Sequence, residues 1–255
     1  MSKFASYADQ YSMIKMRRED GILEMRFHTD EGPLHWSLEP HAQLEQAFLD
    51  VGRDPDNEVI ILTGTGDTFS GPRVGAEGHN HKRKPVTPTE WYPIGWEGKH
   101  LQMNLLNIEV PVISAINGPA YRHAEIPLLS DITIASDTAA FQDSAHFTAG
   151  LLPGDGVHVV FPHLMGANRG RYFLLTGQTL NAEQALAWGL VNEVVAPQQV
   201  LPRAWEHARL LMQQTPLLRR HARVLLTHGL KKKMHDLLAY GLALEGFAAS
   251  PQKTA

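Results

Sequence analysis

The sequence predicts an α/β fold with buried, largely parallel strands and a mostly helical final third. Two observations lead there. Val59–Thr63 (VIILT), Val112–Ile116 (VISAI) and Asp131–Ala135 (DITIA) are short, β-branched apolar runs separated by helical segments, the pattern of strands covered on both faces. Beyond Gly154 almost every segment repeats its apolar residues at helical spacing. A full core is available without staples. Of 255 residues 43% are hydrophobic, and a chain of this size buries roughly three quarters of its unfolded surface.

Element by element, Ser12–Arg17 and Ile22–Phe27 read as extended runs around Arg18-Glu19-Asp20-Gly21, a hairpin with glycine placed for positive φ. Pro40 opens a helix whose Leu44, Ala47, Phe48 and Val51 share one face, ending near Gly52. The strand at Val59–Thr63 follows. Gly64–Glu97, rich in Gly, Pro, His and Trp, shows little periodicity and reads as a long functional loop. After the strands Val112–Ile116 and Asp131–Ala135 come helices over Val157–Leu164, Asn168–Leu175, Asn181–Trp188, Val200–Gln213, Leu217–Thr227 and Lys231–Ala248. Pro216 and Gly229–Leu230 are expected to break the last three apart. With no linker and no fixed-period repeat, residues 1–255 read as one domain.

Composition excludes several classes. With 27 acidic against 23 basic residues the formal charge is −4, which argues against a nucleic-acid partner. The absence of cysteine removes disulfides, thiolate nucleophiles and Cys-based metal sites. No apolar run approaches the ~18 residues of a membrane span, and the first residues lack the apolar core of a secretory signal. The expectation is a soluble, cytoplasmic protein without a membrane partner. Gly64-Thr65-Gly66 would need a third glycine at 69 for a dinucleotide fingerprint, and 69 is Phe. P-loop, GxSxG and HExxH patterns are absent.

Fourteen histidines stand out, because imidazole changes charge near neutral pH. His79-Asn80-His81 has a ligand-like spacing but reads first as part of a solvated loop. Arg219, Arg220, Arg223 and Lys231–Lys233 form a basic stretch, either a solvated helix face or a phosphate contact for a coenzyme A-type ligand.

Five blocks carry more information. Val59-Ile-Ile-Leu-Thr-Gly64, Val110-Pro-Val-Ile-Ser-Ala-Ile-Asn-Gly118, Ser130-Asp-Ile-Thr-Ile-Ala-Ser136, Leu152-Pro-Gly-Asp-Gly156 and the run from Leu175 to Val191 follow in order. Together they resemble the crotonase (enoyl-CoA hydratase/isomerase) superfamily over residues ~10–250. The resemblance implies a spiral of ββα turns over about 1–195 and a helical region over about 196–250 used in trimer assembly. It also implies a chemistry of stabilised enolates.

The departures from that pattern point further. Where hydratases of this kind carry glycines after Asn117-Gly118, this chain has Tyr121, Arg122 and His123, offering an imidazole in place of a backbone donor. Glu125 falls near the first hydratase carboxylate, while the second is replaced by His146 in Phe141-Gln-Asp-Ser-Ala-His146, with Asp155 nine residues on. A neutral imidazole takes a proton from water near pH 7, and a carboxylate on its other nitrogen fixes the tautomer. Asp155 is expected in that orienting role.

Trp36, His41, His123, His146, Asp155 and Glu245, each in its local run, resemble the 6-oxocamphor hydrolase and β-diketone hydrolase branch. That resemblance implies hydrolysis of the C–C bond of a β-diketone by retro-Claisen water attack. His146 and Asp155 would activate water, and His123 with Trp36 would hold the enolate oxygen. His41 and Glu245 would form a second polar pair. It implies no cofactor and no metal, and assembly as a homotrimer or a hexamer. Two other classes stay open on the sequence: hydratase, isomerase or hydrolase action on an acyl-CoA thioester, and a metal-dependent hydrolase using His79 and His81. A non-catalytic scaffold is disfavoured by the cost of burying so many polar groups without a task.

Overall fold

The computed structural model describes residues 3–72 and 85–251; the His79/His81 pair lies outside them. Strands β1 (Ile14–Glu19) and β2 (Ile22–Phe27) pair antiparallel with Glu19 opposite Ile22. Asp20 and Gly21 are therefore a two-residue turn, at φ 48° and 82°, as the Asp-Gly pair predicts. From β2 the sheet continues parallel through β3 (Val59–Gly64), β4 (Val112–Ile116), β5 (Ile132–Ser136) and β8 (Glu193–Val195), in spatial order β1-β2-β3-β4-β5-β8.

A second, shorter row runs beside this sheet. His35 bridges Gly71, Ser70 bridges Ala120, and Ala120 bridges Phe141. Phe141 lies in β6 (Ala140–Phe141), which pairs with β7 (Leu180–Asn181). Each circuit of the chain thus adds one strand to the large sheet and one short segment to the second row. Helices α1 (Leu38–Gly52), α2 (Pro88–Asn107), α3 (Glu125–Leu128) and α6 (Ala182–Ala187) complete the circuits. This is the spiral of ββα turns that the sequence motifs imply. Helices α4 (Val157–Met165) and α5 (Ala167–Thr176) interrupt its last circuit, and α7 (Pro197–Met212) and α8 (Pro216–Ala249) follow it.

Every residue of β3 and β4 is buried, which explains their unbroken apolar runs. Ile60, Leu62, Val112 and Ile116 join the core that contains Leu44 and Phe48 of α1 and Leu105 of α2. Ile61, Ile113, Ala115 and Ile134 pack with Val200, Ala204, Trp205 and Ala208 of α7. Burial on both faces at roughly 25 cal/mol per Å² of apolar surface is what makes this sheet the rigid floor of the molecule.

Two expectations about the helices need correction. The last ten residues of the stretch read as an aperiodic loop, 88–97, belong to helix α2, opened by a capping box in which Thr87 and Glu90 bond each other's backbone. Its periodicity is hidden because Pro93, Gly95 and Gly98 interrupt the first turns and its buried side chains begin only at Leu101. The expected break at Gly229–Leu230 is also absent, and α8 is one helix of 34 residues. An exposed helical glycine costs only about 1 kcal/mol against alanine. Buried Arg223, Thr227, Met234 and Leu238 on either side hold the helix down.

The basic stretch fits neither of its two readings at its arginines. Arg219 pairs with Glu58 at 2.7 Å, and Arg220 donates to the carbonyl of Pro55 at 3.0 Å. Arg223, with no exposed side-chain surface, pairs with Asp131 and donates to the carbonyls of Ile108 and Leu105 at 2.7 and 3.1 Å. These side chains fasten α8 to the sheet.

Candidate active site

The second row of short segments delivers polar side chains to one place. Just after His35, Ser37 caps α1 by accepting from the Glu39 N–H, and this sets Trp36 and His41 on the inner side of the helix start. Past Ala120, His123 adopts a left-handed backbone at φ 50°, a conformation that costs a non-glycine residue energy and clusters at functional sites. Past β6, the chain turns through Asp143 and His146. Asp155 lies before α4, in a loop pressed against α8. A Cβ at Gly154 would overlap the carbonyl of Gly241 and the Glu245 side chain, so only glycine permits that approach. The Asp155 carbonyl also accepts from Gln102 of α2.

His146 is buried among three carboxyl groups. Its Nδ1 meets Asp143 Oδ1 at 2.6 Å, while its Nε2 faces Asp155 Oδ2 at 3.3 Å and Glu245 Oε1 at 3.5 Å. Two expected relationships are corrected here. The group on the far nitrogen of His146 is Asp143, and Asp155 shares the near one. His41 and Glu245 do not form a pair: the His41 ring nitrogen Nδ1 faces Glu97 Oε2 at 3.8 Å, and Glu245 faces His146. The reason is topological, since Glu97 lies on α2 beside α1 whereas Glu245 rides on α8 over the Asp155 loop.

A second group of rings lies opposite. Trp36 and His123 stack with centroids 4.2 Å apart, and His41 is 5.0 Å from His123. The Nδ1 of His123 is 2.8 Å from Glu125 Oε1 and 3.5 Å from Asp155 Oδ2. Asp155 therefore touches both imidazoles. The buried Nε1–H of Trp36 has no hydrogen-bond partner among the described residues. Trp36, His41, His123, His146, Asp155 and Glu245 all line one cavity of about 520 Å³, together with apolar Val86, Trp91, Ile94 and Leu242. A few convergent polar groups in a mostly apolar pocket suit a small organic ligand.

Protonation separates the groups. Burial opposes charge on His146, but Asp155 and Asp143 outweigh it and hold its pKa well above the ordinary histidine value. Burial likewise opposes charge on Asp155, yet His146 above all keeps its carboxyl ionised, far below the usual carboxylate range. His123 is pushed down to about 4 by burial, with Asp155 acting against the shift. Burial lowers His41 as well. Burial and then the Asp155 charge raise Glu125 well above the carboxylic range. The shifts thus favour charge on the His146–Asp155 pair and disfavour it on His123 and His41.

Donor atoms of His146, Asp155 and Glu245, and those of His123, Glu125 and Asp155, lie within 4.8 Å of one another. In both trios the imidazole nitrogen already has a carboxyl partner, so the proton pairing described above accounts for the spacing. Sequence reasoning missed Asp143 and Glu97. Asp143 had a usable signal, since an acid three residues before a histidine reaches its Nδ1 across a tight turn; Glu97 had none.

The enoyl-CoA hydratase/isomerase family profile matches residues 17–246. The chain belongs to that family. A family relative, the carnitinyl-CoA dehydratase of Salmonella arizonae, is 33% identical over 177 residues, 68% of this chain and 64% of that protein. The chain thus spans just under two thirds of that relative's length. The carnitinyl-CoA dehydratase of Shigella flexneri is 29% identical over 80% of this chain and 76% of its own. Among solved structures, the beta-diketone hydrolase of the cyanobacterium Anabaena, bound to (S)-3-oxocyclohexyl acetic acid, superposes with a TM-score of 0.88. It is 42% identical, with 98% of this chain and 97% of that one covered. An enoyl-CoA hydratase/isomerase from Mycobacterium paratuberculosis has the same fold at a TM-score of 0.85 and 21% identity. Among the described residues no helix is long and apolar enough to cross a membrane.

Proposed function

We propose that this member of the enoyl-CoA hydratase/isomerase family hydrolyses a C–C bond of a β-diketone. The observation that carries the proposal is His146, held between Asp143 and Asp155 and facing the Trp36/His123 pair across one cavity. Such a layout suits an addition of water followed by release of an enolate. In the reactive form, Nε2 of neutral His146 takes a proton from water while Asp143 holds the ring. The hydroxide oxygen bonds to one carbonyl carbon. The bond from that carbon to the carbon between the carbonyls then breaks, and its electron pair moves onto the second carbonyl oxygen as an enolate. Trp36 Nε1–H and the ring N–H of His123 hold that oxygen as charge develops. The proton on His146 returns to the enolate carbon. The sum is one water added across one C–C bond, giving a keto acid.

Similarity supports the same chemistry. The Anabaena hydrolase is the relative above with high identity over almost the whole chain, and its ligand is a keto acid. A cyclic or bicyclic 1,3-diketone is the matching substrate class, within the reach of a 520 Å³ cavity. The chemistry proposed requires no cofactor. Acyl-CoA dehydration is the second reading, favoured by the roughly 30% identity to the carnitinyl-CoA dehydratases and by Glu125, near the carboxylate position of CoA-ester enzymes. A panel of cyclic and acyclic β-diketones, followed by loss of ultraviolet absorbance beside an acyl-CoA panel, decides between them. Turnover of diketones alone is expected; turnover of acyl-CoA alone overturns the proposal.

A cytoplasmic homotrimer or hexamer belongs to the same proposal. Leu225, Leu226, Tyr240 and Phe247 of α8 are 75%, 78%, 63% and 74% exposed, an apolar surface suited to a second copy. Light scattering that returned a monomer mass would count against it.

A further inference from the structure

Glu125 is a buried acid for which the reaction above has no use. It opens α3 with its side chain fully buried. Its ion-pair contact among the described residues is His123 Nδ1, at 2.8 Å from Oε1, and its Oε2 has no hydrogen-bond partner. The charged groups that act on it most strongly are Asp155 from the loop before α4, and His146 and Asp143 from the segment after β6, while its own backbone N–H favours the ionised form less than burial opposes it. Two of those three are acids. A second buried anion beside Asp155 would be repelled and half unsatisfied.

If Glu125 keeps its proton, the position of that proton follows from the contacts. On Oε2 it would find no acceptor. On Oε1 it points at a ring nitrogen within hydrogen-bond distance. The nitrogen must then be bare, and a neutral imidazole carries its one hydrogen on the other side.

We infer that Glu125 is a positioning residue: as a neutral carboxylic acid it donates its O–H to His123 Nδ1, which leaves His123 Nε2–H as the donor to the substrate oxygen. Without that bond, Asp155 Oδ2, 3.5 Å from the same Nδ1, would favour the opposite tautomer and present a lone pair where a donor is required. Burial of both groups supports this, since it lowers His123 and raises Glu125. The role of His123 toward substrate rests on the proposed hydrolysis; the tautomer does not.

The decisive measurement uses the free, full-length protein. Nitrogen-15 NMR of the imidazoles at neutral pH, with His123 assigned by its loss in His123→Gln, is expected to show an unprotonated Nδ1 and a protonated Nε2. A protonated Nδ1 overturns the inference whatever the protein hydrolyses. The activity arm compares Glu125→Gln, whose amide still donates but cannot ionise, with the apolar Glu125→Leu. Raising the pH ionises wild-type Glu125, which then pulls the ring hydrogen to Nδ1, so diketone turnover should fall at alkaline pH. Glu125→Gln should lose that alkaline fall, and Glu125→Leu should lower kcat about tenfold or more at every pH. An alkaline limb unchanged in Glu125→Gln, or equal kcat in the two variants, counts against the inference. If no β-diketone is hydrolysed, the proposed reaction fails while the NMR result still decides the tautomer.

Discussion

Nδ1 of His146 lies 2.6 Å from Oδ1 of Asp143, three residues earlier in the chain, and both side chains are buried. The same Asp143 oxygen accepts the backbone N–H of Ala145 at 3.3 Å, so the carboxylate is fixed by the turn that it orients. The imidazole cannot rotate without losing this bond, and its Nε2 is committed to the cavity. Asp155 meets that nitrogen at 3.3 Å. One histidine thus has an orienting acid on one side and a proton-sharing acid on the other.

A pH dependence follows. His146 is raised above the ordinary histidine value, and only its neutral form takes a proton from water. Diketone turnover should therefore rise with pH, with the acid-side midpoint above that of a free imidazole. Asp143→Asn removes a negative neighbour, lowers the His146 pKa and moves the midpoint to lower pH. A pH–kcat profile of the two proteins checks this, and a midpoint that stays put or moves up contradicts the assignment.

Loss of the base should be expensive. His146→Ala and Asp155→Asn are each expected to lower kcat by roughly 10²–10⁴, the usual contribution of general acid–base catalysis. Because the pair acts as a unit, the double variant should be little worse than the poorer single one. Multiplicative losses would mean that the two work independently.

Trp36→Phe keeps the ring stack on His123 but deletes the unpartnered Nε1–H. Turnover should drop by about tenfold to a few hundredfold, in the range seen for one lost oxyanion donor or somewhat less. Steady-state kinetics at several diketone concentrations separate this from weaker binding. A change in KM with kcat intact would assign Trp36 to binding alone.

Arg223→Met tests how α8 is anchored. Removing the buried guanidinium leaves the carbonyls of Ile108 and Leu105 without their donor and takes a cation from the partly exposed Asp131, which keeps its bond from the Val112 N–H, at a cost of about 2–4 kcal/mol. For a chain of this length that corresponds to a Tm lower by roughly 10 °C. Scanning calorimetry reads it directly, and an unchanged Tm would show the arginine to be ornamental.

Much of this protein is legible in its amino-acid sequence. The strands Val59–Gly64 and Val112–Ile116 are unbroken apolar runs because both faces are buried, and Asp20-Gly21 announces its turn through backbone sterics. Trp36, His41, His123, His146, Asp155 and Glu245 stand out in the sequence by the resemblance of their local runs to a known branch, and the fold gathers all six around one cavity. Helix α2 was hidden because its first turns carry Pro93 and Gly95 and bury little. The continuity of α8 through Gly229 depends on anchors such as Arg223 and Asp131, far apart in sequence.

The amino-acid order by itself determined the circuit of strands and helices and the inventory of acids and imidazoles, because periodicity and residue chemistry are local properties. Which acid meets which nitrogen was decided only by tertiary structure. Asp143 rather than Asp155 orients His146, Glu97 rather than Glu245 faces His41, and Glu125 reaches His123. Distance sets which neighbour a proton is shared with, and burial keeps a proton on a carboxylic acid but takes it off an imidazole. Both quantities arise only when separate turns of the spiral are packed together.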